Sequence, residues 1–270
     1  YSSQEVVGQN PRILNSNLTP SETYADLWSN ITAGRVWQGE LMNRRKDGCS
    51  YWEHITITPI TSDDQQITHF LAVLEDITDR KEYESQLLHK ANHDSLTGLP
   101  NRVLALDRLE QALARCRREH NRGVLMYLDL DGFKAINDNH GHETGDKVLV
   151  AVSSRLQDCV RETDTIARID GDEFLVVLQD LESESASANL ADKIHGAFVP
   201  PIVIGENRFT VTVSIGIAYF PDDGEESRVL MVNADKAMYR AKQAGQNQSR
   251  YFSDLQAALD PLLAGQNFGK

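Results

Sequence analysis

The sequence predicts an α/β domain, a mixed sheet flanked by helices, over residues 94–255. An α+β domain over 1–79 precedes it, a helix over 80–93 joins the two, and 256–270 are left as a tail. Three observations carry this prediction. From Asp94 onward, helical periodicity alternates with short apolar runs, the pattern of a layered α/β domain. Before residue 79 apolar and polar residues alternate, as in strands with one buried face. Between them, a charged segment carries apolar residues close to a heptad spacing. A chain of 270 residues suits two domains of ordinary size.

Residues 51–60, YWEHITITPI, read as an antiparallel strand ending near Pro59, and 69–75, HFLAVLE, as a second. Asp47-Gly48 ahead of them supplies a hairpin turn. The joining helix places Tyr83, Leu87, Leu88 and Ala91 among charges, which suits a parallel two-chain coiled coil; a single helix packed on its own domain is the plainer reading. Helices are expected over 101–118, from about 145 to 159, over 187–198 and over 228–244, with a loop between 129 and 145. Strands are expected over 124–129, 174–178 and 209–218.

Forty per cent apolar and a quarter charged residues describe a folded globular chain. The net charge of −13 argues against broad nucleic-acid binding, and any phosphate ligand would need local neutralisation by a cation or placed basic residues. Cys49, Cys116 and Cys159 are scattered and predict inert thiols, neither a disulfide framework nor a zinc site. No apolar run is long enough to cross a bilayer, so no membrane contact is expected in this piece. The chain opens on Tyr1 without an initiator Met, as a portion of a longer protein would, and a cytoplasmic location is expected.

Chemistry concentrates in two segments. In LDLDGFKAINDNHGHETGD, Asp129 and Asp131 close an apolar strand, where open α/β sheets deliver ligand-binding groups. Two carboxylates two residues apart on a strand point the same way and are suited to sharing a hard cation. Taken alone, the pair also fits an Asx-type turn, while the spacing fails that of an EF-hand loop. In RIDGDEF, Asp170-Gly171 predicts a tight hairpin presenting Asp172 and Glu173 at or just beyond its tip; in isolation that is a solvated turn.

Five blocks occur in order: DSLTGLPNR, the LDLDGFKAINDNHGHETGD segment, RIDGDEF, VSIGIA and ADKAMYRAKQAGQN. Together they resemble a whole GGDEF domain of the diguanylate cyclase family. Residues 1–79 are similar to the later half of a PAS sensor domain, on VVGQNPRIL, WQGELMNRRKDG, the strand pair and Asp76-Ile77-Thr78. The resemblance implies the nucleotidyl-cyclase-like fold and condensation of two GTP to cyclic di-GMP with loss of pyrophosphate, in a homodimer formed through the PAS domain and the linker helix. It implies Mg2+ or Mn2+ held by Asp129, the Leu130 carbonyl and Asp172. It implies guanine reading by Asn137 and Asp146, with Phe133 and Gly171 lining the nucleotide, phosphate contacts from Lys134 and Lys242, and Glu173 receiving the attacking hydroxyl's proton. Arg161 and Asp164, spaced five residues before the signature, match the family's inhibitory product site. A flavin or haem in the PAS domain is left open.

Two positions depart from the pattern. Asp170 replaces the signature's first glycine, adding a negative charge where unit charges a few Å apart repel by roughly 1–4 kcal/mol. Gln246 stands where the family's closing motif has Arg, removing a charge-assisted bond. Both motivate an alternative: a catalytically silent module that binds GTP or cyclic di-GMP and regulates a partner domain. An adenylyl cyclase is disfavoured by Asn137 and Asp146.

Overall fold

The computed structural model describes residues 1–256 apart from Glu182. The chain divides into two compact units, one from Tyr1 to His89 and one from Lys90 onward. The predicted tail over 256–270 lies, after its first residue, outside the described residues.

The first unit opens with a short helix α1 (Ser3–Val6), a 3₁₀ turn (Pro11–Leu14) and helix α2 (Ser21–Thr32). Three strands follow, β1 (Trp37–Arg44), β2 (Ser50–Thr61) and β3 (Ile67–Asp76), in an antiparallel sheet of that order. Leu27 and Ile31 of α2 pack on Trp37, Leu41, Ile55 and Ile57, a core made possible by the period-two pattern of β1 and β2. The Arg45–Gly48 turn has Gly48 at φ +93°, the conformation that favours glycine. Helix α3 (Thr78–Asn92) begins where Asp76 Oδ1 accepts from Thr78 N at 3.0 Å and Thr78 Oγ1 at 2.6 Å. It buries none of its residues, so the apolar row Tyr83, Leu87 and Leu88 is exposed.

The second unit runs α4 (Arg102–Glu119), β4 (Gly123–Asp131), α5 (Phe133–His140), α6 (His142–Gln157), β5 (Thr165–Asp170) and β6 (Glu173–Leu178). It continues with α7 (Glu184–Phe198), β7 (Ile202–Ile204), β8 (Asn207–Phe209), β9 (Thr212–Phe220), α8 (Ser227–Gln243) and β10 (Ser249–Tyr251). Five strands form one mixed sheet, β10-β9-β4-β6-β5, in which only β10–β9 is parallel; β7 and β8 form a separate hairpin. Every residue of β4 is buried. Val124, Met126, Leu128 and Leu130 face a core with α6 and α7, while Leu125 and Tyr127 face one with α4 and α8. Strand alternation places Asp129 and Asp131 on the second face.

The mixed sheet flanked by helices is as predicted, with local differences. The expected loop after β4 contains α5, because Phe133 buries itself at once and Gly132, at φ +75°, turns the chain sharply from strand into helix. The expected strand over 209–218 is two strands, interrupted at Thr210-Val211. The β5–β6 turn is Gly171-Asp172 rather than Asp170-Gly171: Asp170 pairs with Glu173 in register, and Gly171 takes φ +42°. Cys116 and Cys159 are buried but Cys49 is exposed.

Glycine 216 sets the height of α8 over the sheet. A Cβ there would lie 1.9 Å from the Ala234 carbonyl oxygen and 2.2 Å from the Met238 amide nitrogen, both backbone atoms of α8. Gly216→Ala is expected to push the helix outward and cost about 1–3 kcal/mol, seen as a lower urea midpoint. An unchanged midpoint would show that the helix yields freely.

Candidate active site

The site is assembled where β4 ends. Antiparallel register places Asp129 opposite Glu173 of β6 and Ser214 of β9. The Leu130 amide donates to the Asp172 carbonyl at 3.3 Å, which fastens the β5–β6 turn to the end of β4. From α8, one turn beyond Met238, Lys242 brings its Nζ to 2.6 Å from Asp129 Oδ1. The close approach at Gly216 is what lets this lysine reach. The ion pair is tight but not aligned as a hydrogen bond, so Asp129 Oδ1 has no directed donor among the described residues. Burial pushes the Asp129 carboxyl up to about 6; Lys242 opposes the shift, and the charges of Asp172 and Glu173 add to it.

Asp131 is satisfied by the protein itself. Its carboxylate accepts from Thr212 Oγ1 at 2.7 Å, Ser214 Oγ at 2.7 Å and the Asn247 amide at 3.0 Å. The expectation that Asp129 and Asp131 share a cation therefore needs correcting: they share a face of the sheet, but Asp131 is spent on β9 and on the turn after α8. That turn holds Gln246 and Asn247 at φ +63° and +48°, with Gln246 exposed.

Asn137 of α5 lies against Gly145 of α6, where a Cβ would meet Asn137 Oδ1 at 1.8 Å. That oxygen is buried and accepts no hydrogen bond from the described residues. Asp146 follows on the exposed side of α6, Phe133 is buried beneath, and Lys134 is exposed on the first turn of α5. The structure thus gathers Asp129, Leu130, Asp172, Glu173 and Lys242 at one strand end, and Asn137 with Asp146 along the α5–α6 pair. Arg161 and Asp164 lie apart from these, in the turn before β5. There the Asp164 carboxylate accepts from the Arg161 amide at 2.9 Å, and the Arg161 side chain is exposed.

Contacts of Arg168, Asp94 and Tyr127 around the site were not read from the sequence. Arg168 donates through Nε to the Gly171 carbonyl at 2.9 Å and through Nη1 to Asp94 Oδ1 at 3.0 Å. Asp94 Oδ1 also accepts from Thr97 N and Oγ1 at 2.8 and 2.6 Å, so the turn's shape is tied to the DSLT segment. Against the upward push of burial, these donors and Arg168 hold the Asp94 carboxyl below its usual range. Both blocks were visible in the sequence, but nothing there pairs their side chains. Tyr127 Oη donates to Glu173 Oε2 at 2.7 Å, a contact that an aromatic residue within an apolar run does not announce.

Among the described residues no group of three or more His, Cys, Asp and Glu is gathered to hold an ion. Asp129, Asp172 and the Leu130 carbonyl nevertheless fit a hard divalent cation. Magnesium takes one or two carboxylates plus substrate phosphates and water rather than a full protein cage. A buried carboxylate oxygen without a directed donor is the group such a charge would relieve.

The family model described as diguanylate cyclase, GGDEF domain, matches residues 91–248. The chain belongs to the GGDEF family. A PAS domain model matches residues 1–79. Over 167 residues, 62% of this chain and 24% of the relative, it is 45% identical to the bifunctional diguanylate cyclase/cyclic di-GMP phosphodiesterase MucR of Pseudomonas aeruginosa. Over 167 residues, 62% of this chain and 38% of the relative, it is 38% identical to diguanylate cyclase TpbB of the same organism. The chain therefore spans well under half the length of either. A solved TpbB structure comprising only the GGDEF domain aligns with a TM-score of 0.59 at 35% identity, covering 64% of this chain and 99% of that one. The coiled coil and GGDEF domain of DgcB from Caulobacter crescentus, solved in complex with c-di-GMP, aligns with a TM-score of 0.60 at 29% identity, covering 65% of this chain and 93% of that one. No helix among the described residues is long and apolar enough to cross a membrane.

The raised Asp129 carboxyl has a stability consequence for the metal-free GGDEF domain. Its folded value of about 6 exceeds the ordinary 3.8, so the native state binds its proton more tightly, and stability falls as pH rises between those values. Asp129→Asn removes that penalty. Thermal unfolding without divalent metal should show the variant more stable above pH 6, by roughly 1–3 kcal/mol, and equal to wild type near pH 3.5. A variant less stable at pH 7 would mean that the Lys242 pair outweighs burial.

Proposed function

We propose that this chain is a diguanylate cyclase that condenses two GTP to cyclic di-GMP, each of two chains presenting one GTP. The observation that supports it most is the convergence of Asp129, the Leu130 carbonyl, Asp172 and Lys242 at the end of β4. In this reading Asp129, Leu130 and Asp172 hold Mg2+ or Mn2+. The bound ion would offset the triphosphate charge and polarise the α-phosphorus. Lys242, now paired with Asp129, and Lys134 take phosphate oxygens, which meets the need for local neutralisation in so acidic a chain. Asn137 and Asp146 read the guanine edge between α5 and α6, over Phe133, with Gly171 giving the backbone close approach. A carboxylate accepting from guanine's two donors finds no such pair on adenine, which makes the selection asymmetric. The 3′-oxygen of one GTP forms a bond to the α-phosphorus of the other, the bond to pyrophosphate breaks, and the hydroxyl proton passes to Glu173.

The PAS unit would control the reaction through α3, whose exposed Tyr83, Leu87 and Leu88 row would pair with the same row of a second chain. Arg161, exposed over a turn closed by Asp164, would bind the product's guanine and limit synthesis.

Asp170 and Gln246 favour the second reading, a silent receptor for GTP or cyclic di-GMP. Asp170 is exposed and lines a cavity of about 280 Å³ together with Arg102 and Arg168.

Incubation with GTP and Mg2+ should yield cyclic di-GMP, identified by mass, in a reaction that limits itself and that Arg161→Ala prolongs. Gln246→Arg should raise the rate several-fold, as a neutral contact becomes charge-assisted. Absence of product at every protein concentration, with GTP or cyclic di-GMP still binding, would replace the enzyme with the receptor.

A further inference from the structure

Glu173 does not stand alone on its strand. Leu175, two residues along β6, lies opposite Tyr127 of β4, so Tyr127 and Glu173 are diagonal neighbours on one face of the antiparallel pair. An aromatic side chain spans that diagonal, and Tyr127 Oη donates to Glu173 Oε2 at 2.7 Å. The ring is 7% exposed and packs in the cluster with Leu109, Leu125, Leu175 and Met238. Across the other neighbouring strand it faces Gly216, where α8 comes closest to the sheet. The hydroxyl is therefore fixed by packing on both sides and cannot follow a carboxylate that swings away.

We infer that Tyr127 is a positioning residue, which clamps Oε2 of Glu173 and leaves Oε1 directed at the attacking 3′-hydroxyl. The inference rests on the cyclase reading. It assigns a part in the reaction to a residue inside the core, where its ring alone would account for its presence. A purely structural tyrosine would use Glu173 only as a convenient acceptor for a buried hydroxyl, and its loss would alter stability without altering turnover.

The test keeps the ring and removes the oxygen. Tyr127→Phe, Glu173→Ala and the double variant are assayed for kcat and for KM of GTP. Binding of a non-hydrolysable GTP analogue with Mn2+ is measured by calorimetry, and the urea midpoint is recorded for each. A hydrogen bond to a charged group corresponds to roughly a ten- to hundredfold effect, so Tyr127→Phe should lower kcat by at least about tenfold. KM and analogue affinity should stay within about twofold, because the clamp acts on the transferring proton rather than on the nucleotide. In the Glu173→Ala background the same change should cost less than about twofold, the coupling that defines a shared function. The inference is overturned if kcat is unchanged, if the loss is the same in both backgrounds, or if it appears in analogue affinity instead. A wild-type chain that makes no product sinks the cyclase reading itself and the positioning role with it, an outcome distinct from an active enzyme indifferent to Tyr127→Phe.

Discussion

Burying a carboxylate at the end of an apolar strand costs free energy unless donors or a cation meet it, and β4 buries two. The chain answers them in opposite ways. Asp131 receives three donors from β9 and the turn after α8, becoming a fastener for the polypeptide. Asp129 is left with one lysine and a raised proton affinity. The two carboxylates, two residues apart and on the same face, differ in the donors that β9, α8 and the turn after α8 bring to each.

The rest of the site is arranged around that incomplete solution. Helix α8 approaches β9 at Gly216, and this closeness is what lets Lys242 reach Asp129. The β5–β6 turn is held from two directions, by the Leu130 amide on one side and by Arg168 with Asp94 on the other. Asp94 stands just beyond α3, and Arg168 links it to the turn carrying Asp172. Backbone and side-chain contacts together define the geometry.

Much of this was legible in the sequence, for physical reasons. The all-apolar run of β4 and the polar breaks around it announce a central strand, and the paired carboxylates at its end announce a site. The helix α5 was not legible, because KAINDNH between two glycines has the composition of a loop; the packing of Phe133 and Ile136 on the core favours the helix. The placement of the β5–β6 turn depends on a register irregularity between Arg168 and Asp170, which composition does not show. Tyr127 and Arg168 escaped because their roles are contacts between strands or segments far apart in the chain. Spacing identifies residues that act with their neighbours, and it is blind to those that act across a sheet.

Gly145 sets the fold and the site against each other. Within a helix, alanine is more favourable than glycine by roughly 1 kcal/mol, so replacing Gly145 would firm up α6. The added methyl would also occupy the space that Asn137 Oδ1 fills, turning that amide out of the groove. If Asn137 reads the base as proposed, one small mutational step would trade base selectivity for helix stability.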